Sequence, residues 1–400
     1  MTYDVAAVRE RFPALKEGAA HFDGPGGTQV PDAVADAVAG ALTAAVANRG
    51  SVTAAEVRAD QIVLDARSAM ADLLAGVPAG IVFGRSMTQL TYDLARALAK
   101  DWDPGDEVVV SRLDHDADIR PWVHAAEARG VTVRWAEFDR ESGELAVEAV
   151  AGLLGPRTRL VAVTGASNLL GTRPDVPAIA ERTHAAGALL FVDGVHLTPH
   201  SVVDIGALGA DFYACSPYKF LGPHLGVLAA DPGLLEGVHS DKLLPQTGAV
   251  PERFELGTLP YELLAGTTAA VDFLAGLVPG EGTRRERLVR SMTALEDHEQ
   301  VMLERLEKGL ARIPGMRLYG APGRRRTPTT LFSVDGVDSA EIYSFLAARG
   351  VNAPAGSFYA LECSRWLGLG DAGAVRAGIA PYTDESDVDR LLDGLDALTA

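Results

Sequence analysis

The alternation of short apolar runs with longer amphipathic segments between residues 80 and 230 constrains the fold more than any other feature of this sequence. Segments such as DLARALAK (93–100) and VPAIAERTHAAG (176–187) have the apolar spacing of helices, and the runs between such segments are short and β-rich. This alternation is typical of a parallel sheet wrapped by helices. It predicts an α/β fold with a mainly parallel seven-stranded sheet flanked by helices, built from GIVFG (80–84), DEVVVS (106–111), VTVRWAEF (131–138), TRLVAVTG (158–165), ALLFVDG (188–194), DFYACS (211–216) and GVLAA (226–230).

The pattern changes after about residue 262. A long helical segment, LVRSMTALEDHEQVMLERLEKGLARI (288–313), is followed by shorter strand-like and helical pieces such as TTLFSVDG (329–336). We therefore expect a large domain over residues 19–262 and a smaller α+β C-terminal domain over residues 263–400, with the N-terminal segment 1–18 packing near the smaller one.

Charge and composition limit the partners and the compartment. The formal net charge of -18 argues against a nucleic acid or an anionic membrane surface as a partner, because both require a basic face. No stretch of about 18 residues is apolar without a charge, so we expect no membrane span. Two cysteines cannot build a disulfide framework, and the N-terminus lacks the apolar core of a signal peptide, which favours a cytoplasmic location. No metal site is predicted.

Polar residues follow five of the predicted strands, at the edge where an open parallel sheet binds its ligands. Each has a simpler interpretation when taken alone: a hydroxyl at a helix start is often an ordinary N-cap, and a lone histidine is more often structural. An unpaired carboxylate at the end of an apolar strand is costly unless a cation or a donor meets it. In chain order the residues are Ser86, Met87 and Thr88, then His115, then Ser167 and Asn168, then Asp193 and His196, and finally Lys219.

Together these strand ends match the needs of one common cofactor, pyridoxal phosphate. That cofactor requires a lysine for its Schiff base, an acid against its pyridine nitrogen, a polar group near its phenolic oxygen, a plate for its ring and an anion site for its phosphate. Lys219, Asp193, Asn168 and His115 supply the first four groups, and the helix start after GIVFG supplies a phosphate site. The sequence therefore predicts a pyridoxal phosphate enzyme.

The same motifs resemble those of the class V aminotransferase family of fold type I pyridoxal phosphate-dependent transferases, in particular its cysteine desulfurase and selenocysteine lyase branch. The resemblance runs from HFDGPGGTQVP (21–31) to DESDVDRLL (384–392), which is nearly the whole chain. It implies that Lys219, Asp193 and His115 are catalytic. It also implies that the cofactor is bound by Ser86, Met87, Thr88, His115, Asn168, Asp193, His196, Ser216 and Lys219.

Three further motifs resemble family segments that hold the substrate or the partner subunit. In VRAGIAPYTDE, Arg376 would bind the carboxylate of an amino-acid substrate, for which its planar fork is suited. Asn48 and Arg49 match a loop near the substrate. In RFELGTLPYE, Gly257 and Thr258 would reach the phosphate bound by the partner subunit, which implies a homodimer with a shared active site.

The sequence departs from the desulfurase pattern in ways that bear on the reaction. Tyr218 stands where the family has a histidine before the lysine, and Asp116 replaces the second histidine of the ring-stacking loop. Desulfurases carry a sulfur-accepting cysteine in a region where this chain has Ser357 and Phe358. Cys363 follows several residues later, in a stretch that predicts a partly buried helix where the adjacent Glu362 would raise the thiol pKa.

These departures favour a carbon–sulfur or carbon–selenium lyase of the cysteine desulfurase-like group, with Cys363 as a packing residue. An epimerase similar to isopenicillin N epimerase, a class V aminotransferase and a non-catalytic cofactor-binding protein stay open as alternatives. A dinucleotide-binding protein is excluded because no G-x-G-x-x-G opens the first crossover. The substrate side chain, any sulfur acceptor and the outcome of the reaction are not set by these motifs.

Overall fold

The computed structural model describes residues 3–399, so Met1 and Thr2 of the predicted N-terminal segment and Ala400 of the predicted C-terminal domain lie outside the described residues. The strands within this range are β1 (Ala20–His21), β2 (Ile81–Gly84), β3 (Glu107–Ser111), β4 (Thr132–Ala136), β5 (Thr158–Thr164), β6 (Leu189–Asp193), β7 (Phe212–Cys215), β8 (Gly226–Ala230), β9 (Met316–Tyr319), β10 (Thr329–Val334), β11 (Val351–Asn352), β12 (Ala355–Gly356) and β13 (Ala374–Gly378).

Helices connect and cover these strands. They are α1 (Val5–Arg9), α2 (Asp32–Thr43), α3 (Ala54–Leu74), α4 (Met87–Leu98), α5 (Arg120–Arg129), α6 (Val147–Ala151), α7 (Val176–Ala185), α8 (Ile205–Leu208), α9 (Pro232–Gly237), α10 (Tyr261–Ala275), α11 (Arg284–Leu310), α12 (Ser339–Ala347), α13 (Leu361–Trp366) and α14 (Glu385–Thr399). No helix within residues 3–399 combines the length and hydropathy that crossing a membrane requires.

The large sheet contains all seven strands predicted from the sequence. Its strand order is β2-β8-β7-β6-β5-β3-β4, in which β8 runs antiparallel to both neighbours while the contacts among β3 to β7 are parallel. The predicted α/β fold with a mainly parallel seven-stranded sheet is therefore confirmed.

Both faces of this sheet are buried, because alternate residues of its central strands pack into different core clusters. Val109, Val161 and Val163 belong to one cluster, whereas Val108 and Val110 belong to the other. Side chains alternate between faces along a strand, and a sheet covered on both faces reads as a continuous apolar run. This explains why the runs DEVVVS and TRLVAVTG carry so little polar alternation.

A second, antiparallel sheet lies in the C-terminal part of the chain, with the order β12-β13-β10-β9. Its own core cluster joins the strands to α11, α12 and α14 through residues such as Leu306, Phe332 and Leu391. The helix α10, which crosses the predicted domain boundary at 262, packs on α2 and α3. The division of the chain at residues 262 and 263 stays a prediction.

The N-terminal segment contacts the end of the chain and also α2 and α10, through the ion pair of Arg11 with Asp32 and the packing of Phe12 on Phe273. The hydroxyl of Tyr3 donates to the carbonyl oxygen of Pro381 at 2.6 Å, and Arg9 forms an ion pair with Asp384 at 3.1 Å. The short strand β1 pairs in parallel with β11, with Ala20 opposite Val351. The predicted start of the large domain at residue 19 stays a prediction.

Candidate active site

A cavity of about 280 Å³ lies at the carboxyl edge of the seven-stranded sheet. The loops that follow β2, β3, β5, β6 and β7 supply most of its lining, and the remaining residues come from segments distant in sequence. Among the predicted site residues, those that line it are Ser86, Met87, Thr88, His115, Asn168, Asp193, His196, Ser216, Lys219 and Arg376. The topology thus brings together side chains that are spread over almost 300 positions of the chain.

Ser167 does not line this cavity: it is buried, and its hydroxyl oxygen accepts hydrogen bonds from the amides of Leu169 and Leu170. Four further predicted residues do not line it either. Asn48, Gly257 and Thr258 are exposed. The guanidinium of Arg49 is held in ion pairs, with Nε 2.7 Å from an oxygen of Asp60 and Nη1 3.1 Å from an oxygen of Glu252. Within one chain these residues are apart from the cavity, and their roles stay predictions.

The start of α4 forms one end of the cavity. Ser86 is its N-cap, and its hydroxyl oxygen accepts a hydrogen bond from the Gln89 amide at 3.1 Å. The first turn of a helix offers free amide groups and the positive end of the helix dipole to an anion. Gly226 on β8 packs directly beneath, since a Cβ there would lie 2.2 Å from the carbonyl carbon of Ser86. Only glycine therefore allows this helix start its position on the sheet.

Lys219 ends a 3-10 turn, Pro217–Lys219, that follows β7. Its Nζ donates a hydrogen bond to the carbonyl oxygen of Pro25 and lies 4.9 Å from the ring centre of Tyr218. Burial, together with the charge of Arg376, lowers the pKa of this amine to about 7, against the opposing effect of Asp193. The amine is therefore partly neutral at physiological pH.

Asp193 is the last residue of β6, and its side chain is almost fully buried. One carboxylate oxygen accepts a hydrogen bond from the Val195 amide at 2.8 Å. Burial raises the pKa of the carboxyl group to about 6, while this amide and the charge of Lys219 act in the opposite direction. A cation placed against Asp193 would keep it ionised, because within residues 3–399 the buried carboxylate accepts a single hydrogen bond.

His115 presents a neutral ring to the cavity. Its Nδ1 accepts a hydrogen bond from the Ala117 amide at 3.0 Å, which places the ring proton on Nε2. Burial and the charges of Lys219 and Arg376 lower its pKa to about 3. The ring stacks on that of Tyr359, with centroids 5.6 Å apart.

Two further carboxyl groups lie close behind His115. Asp114 and Asp118 are fully buried, and each has an oxygen without a hydrogen-bond partner among the described residues. The hydroxyl of Ser111 donates to Asp114, and Trp122 Nε1 donates to Asp118 at 3.1 Å. Burial raises the pKa of Asp114 to about 7, and burial together with Asp114 raises that of Asp118. The pair is not among the predicted site residues, although the motif DHDAD contains both carboxylates.

Arg376 is a buried guanidinium without a carboxylate partner in the described part of the chain. Its Nη1 donates to the carbonyl oxygen of Asn168 at 2.9 Å, and its Nε has no partner. Its guanidinium carbon lies 3.7 Å from the ring centre of Phe358. Burial lowers its pKa to about 9, opposed by the charge of Asp23. A buried cation in this state is suited to an anionic ligand.

His196 lies between the cavity and a buried acid. Its Nε2 is 2.9 Å from the hydroxyl of Thr329, and its ring meets that of His200 edge to face with centroids 5.2 Å apart. His200 Nδ1 is in turn 2.9 Å from an oxygen of Glu299. Burial, with the charges of His200 and Arg376, holds the pKa of His196 well below its usual range.

Other residues of the cavity had not been predicted as site residues. Pro25 and Gly26 come from the turn after β1, and Phe358 and Tyr359 come from the loop before α13. Pro25 and Gly26 belong to the motif HFDGPGG, which is part of the family resemblance, but the resemblance implied no role for them. Phe358 and Tyr359 have left-handed backbone angles, with φ of 51° and 58°. Non-glycine residues rarely adopt this conformation, and no local sequence pattern predicts it.

Cys363 lies in α13 and is fully buried. Burial and the nearby charge of Asp114 raise its pKa. The predicted rise in the pKa of Cys363 has the right direction, but the predicted cause is wrong. Glu362 does not raise it, because its carboxylate is paired with Arg112 at 2.9 Å and with Arg120. A thiol of this kind is neither exposed nor activated.

Comparisons with known proteins agree with this geometry. The sequence profile described as aminotransferase class-V matches residues 20–391. The chain is 35% identical over 401 residues to the uncharacterized protein MT3887 of Mycobacterium tuberculosis, with 100% of both chains covered. It is 33% identical to a probable cysteine desulfurase of Pseudomonas aeruginosa, over 97% of this chain and 96% of the relative. The crystal structure of the cysteine desulfurase CsdA from Escherichia coli has a TM-score of 0.87 and 28% identity, covering 99% of this chain and 98% of that one.

Proposed function

The chain belongs to the class-V aminotransferase family, and from this premise we propose that it cleaves a carbon–sulfur or carbon–selenium bond of an amino acid with pyridoxal phosphate as cofactor. It is a pyridoxal phosphate-dependent enzyme of the cysteine desulfurase-like group. The observation that carries the proposal is one cavity that holds an amine of lowered pKa at Lys219, a buried acid at Asp193 and, at Arg376, a guanidinium that no carboxylate within residues 3–399 pairs with.

The residues present fit this cofactor. The helix start at Ser86 suits a phosphate, and the buried Oδ1 of Asn168, which has no partner within residues 3–399, leaves a polar atom for a donor. The carboxylate of Asp193 suits a protonated pyridine nitrogen, because a cation there would offset its burial. When bound, pyridoxal phosphate supplies an electron sink for negative charge that develops at the substrate Cα.

Lys219 is the residue suited to move the proton. A pKa of about 7 makes its amine neutral often enough to accept a proton at Nζ and acidic enough to return it. The hydrogen bond to Pro25 holds the amine without giving it a permanent countercharge. Arg376 would bind the substrate carboxylate through its free N–H groups, and this contact would orient the Cα proton toward Nζ.

The absence of an activated thiol at the cavity supports a lyase that releases sulfur directly. Neither Cys215 nor Cys363 lines the cavity, and burial raises the pKa of both thiols. Sulfur transfer to an enzyme cysteine requires an exposed thiolate that reaches the substrate. We therefore propose that the sulfur leaves as a free thiol or sulfide rather than as a persulfide on the enzyme.

We also propose a homodimer in which Gly257 and Thr258 reach the partner's active site. Exposed apolar side chains lie on the neighbouring loops: Leu243 is 65% exposed, Leu244 is 100% exposed and Leu256 is 43% exposed. Such side chains are typical of a surface that a partner covers. A cytoplasmic location is proposed because Cys215 and Cys363 are both free.

The experiment that tests the function has two parts. Borohydride reduction of the cofactor-loaded enzyme, followed by digestion and mass spectrometry, should attach the cofactor to Lys219, and a label on another lysine contradicts the site. A screen of amino acids should then yield pyruvate and a thiol or sulfide. Alanine with sulfide indicates desulfuration, whereas an epimerised or transaminated substrate without sulfur release contradicts the lyase.

A further inference from the structure

The loop before α13 places two aromatic rings on two groups of the site. Phe358 lies with its ring centre 3.7 Å from the guanidinium carbon of Arg376, and Tyr359 stacks on His115. Both residues line the cavity. Their rings therefore cover the cation that would bind the substrate carboxylate and the residue beside it.

This placement is held against the backbone preference of both residues. Phe358 and Tyr359 have φ of 51° and 58°, a conformation that bulky L-residues rarely adopt. The carbonyl oxygen of Phe358 accepts a hydrogen bond from Asn168 Nδ2 at 3.0 Å, and that of Tyr359 accepts one from the Asp116 amide at 2.7 Å. Strained backbone that is tied at both residues and lies in a ligand cavity points to a role for the side chains it presents.

Each charged residue of the cavity already has a proposed role. Among the described residues that line it, Lys219, Asp193 and Arg376 carry the charges, and each has a role toward the cofactor or the substrate carboxylate. Among the cavity-lining side chains near Arg376, Phe358 and Tyr218 are aromatic. The carboxylate of Asp23, which does not line the cavity, already acts on the charge of Arg376. A second charge on a substrate side chain would thus be buried without a partner, which is costly, whereas sulfur makes favourable contacts with aromatic rings.

We propose that Phe358 is a specificity-determining residue that selects amino acids with neutral, polarisable side chains, such as thioethers, over those that carry a second charge. This inference rests on the proposed function. For a thioether of cysteine, the Cα proton goes to Nζ of Lys219, the Cβ–S bond breaks and sulfur keeps the electron pair. The sulfur then takes up a proton and leaves as a thiol. Water hydrolyses the remaining three-carbon unit to pyruvate and ammonium, so atoms balance without an oxidant.

The test measures binding to the holoenzyme by calorimetry. The probes are L-norleucine, L-glutamate and L-alanine. Norleucine has the shape of S-ethylcysteine but no sulfur, and glutamate carries a second charge. The methyl group of alanine is too short for its binding to depend on Phe358. Wild type should bind norleucine at least about tenfold more tightly than glutamate. Phe358→Ala should reduce this preference about tenfold and change alanine binding less than twofold. Equal binding of norleucine and glutamate to wild type overturns the proposal.

Controls separate specificity from folding and from the proposed function. Tyr343→Ala removes a half-exposed aromatic residue outside the cavity and should leave the preference unchanged. Phe358→Leu keeps an apolar side chain and should retain part of the preference if the alanine variant fails to fold. An unchanged preference in a folded Phe358 variant overturns the proposal even if S-ethylcysteine is cleaved. Selective norleucine binding without pyruvate or thiol from S-ethylcysteine supports the specificity and contradicts the lyase.

Discussion

The amine of Lys219 donates its hydrogen bond to the carbonyl oxygen of Pro25, which precedes it by 194 positions. This acceptor is neutral, and no carboxylate within residues 3–399 forms a salt bridge with the amine. A lysine held by a carbonyl oxygen keeps its position without gaining the countercharge that would favour its protonated form. The amine is thus held in place while its pKa stays low. A positioned neutral amine is what attack on an aldehyde requires.

The first prediction concerns the pH dependence of cofactor loading. Burial and Arg376 lower the pKa of Lys219 to about 7, so its neutral fraction rises as pH increases toward 7 and levels off above it. The rate at which cofactor-depleted enzyme takes up pyridoxal phosphate should follow this curve with a midpoint near 7, measured by visible absorbance. A rate that still rises tenfold per pH unit above 8 would indicate an ordinary lysine.

Arg376→Met should change both this midpoint and substrate binding. Removing the positive charge raises the pKa of Lys219, because Arg376 is the second cause of its lowered value, so the loading curve moves to higher pH. Loss of the buried charged hydrogen bonds should raise KM for an amino-acid substrate by at least about tenfold. The matched control is Arg305→Met, since Arg305 is paired with Asp389 outside the cavity and has no predicted role in the site. An unmoved midpoint would contradict the electrostatic coupling.

Asp193→Asn should keep the cofactor but lose most turnover. A neutral amide can still accept the Val195 hydrogen bond, but it no longer stabilises a positive charge at the pyridine nitrogen. Charged hydrogen bonds contribute about 1.5 to 3 kcal/mol, which corresponds to a loss of roughly ten- to a hundredfold or more in kcat. Retention is checked by absorbance and turnover by product release. Unchanged kcat in a fully loaded variant would mean that the carboxylate is only structural.

Cys363→Ala should leave substrate consumption within about threefold of wild type, a barrier change under roughly 0.7 kcal/mol. The thiol is fully buried, and burial raises its pKa, so it cannot act as a sulfur acceptor. Native enzyme should also resist alkylation of Cys363 by iodoacetamide. Lys219→Ala serves as the inactive reference. Loss of most activity in the cysteine variant, with a persulfide on Cys363 in wild type during turnover, would identify a desulfurase instead.

Thr258→Ala tests the shared active site. Thr258 is exposed in the single chain and lies outside the cavity, so its removal should not affect folding of the subunit. If its hydroxyl reaches the partner's phosphate, the variant should lose the cofactor faster on dilution or dialysis, with the dimer intact by light scattering. Thr293→Ala, an exposed threonine on α11, is the control. Retention equal to wild type would argue against a site shared between subunits.

Much of the large sheet could be predicted because both of its faces are buried. The centres of runs such as DEVVVS and GVLAA are apolar, and these runs are short, which favours a buried strand over a helix. The polar residues after these runs were predictable for the same reason: the carboxyl ends of parallel strands meet at one edge. Lys219, Asp193 and His115 could therefore be predicted without any knowledge of long-range contacts.

The rest of the site depends on contacts that no local pattern encodes. Pro25 becomes an acceptor for Lys219 because long-range contacts hold the turn after β1 at the sheet edge, among them the hydrogen bond from the Thr28 amide to the carbonyl oxygen of Tyr218. Phe358 reaches Arg376 through a left-handed backbone that tertiary hydrogen bonds impose. The cause of the raised pKa of Cys363 was misjudged because Glu362, its neighbour in sequence, forms ion pairs with Arg112 and Arg120 from another part of the chain.

The pairing of β1 with β11 has a consequence for the order of assembly in the cell. Ala20 leaves the ribosome about 330 residues before its partner Val351. At about 5 to 20 residues per second, this delay is on the order of 15 to 65 seconds. Lys219 and the strand ends around it are synthesised within that interval, but Arg376, which follows Val351 in sequence, is not yet made. The cofactor cavity is therefore completed only after translation, when the two ends of the chain meet.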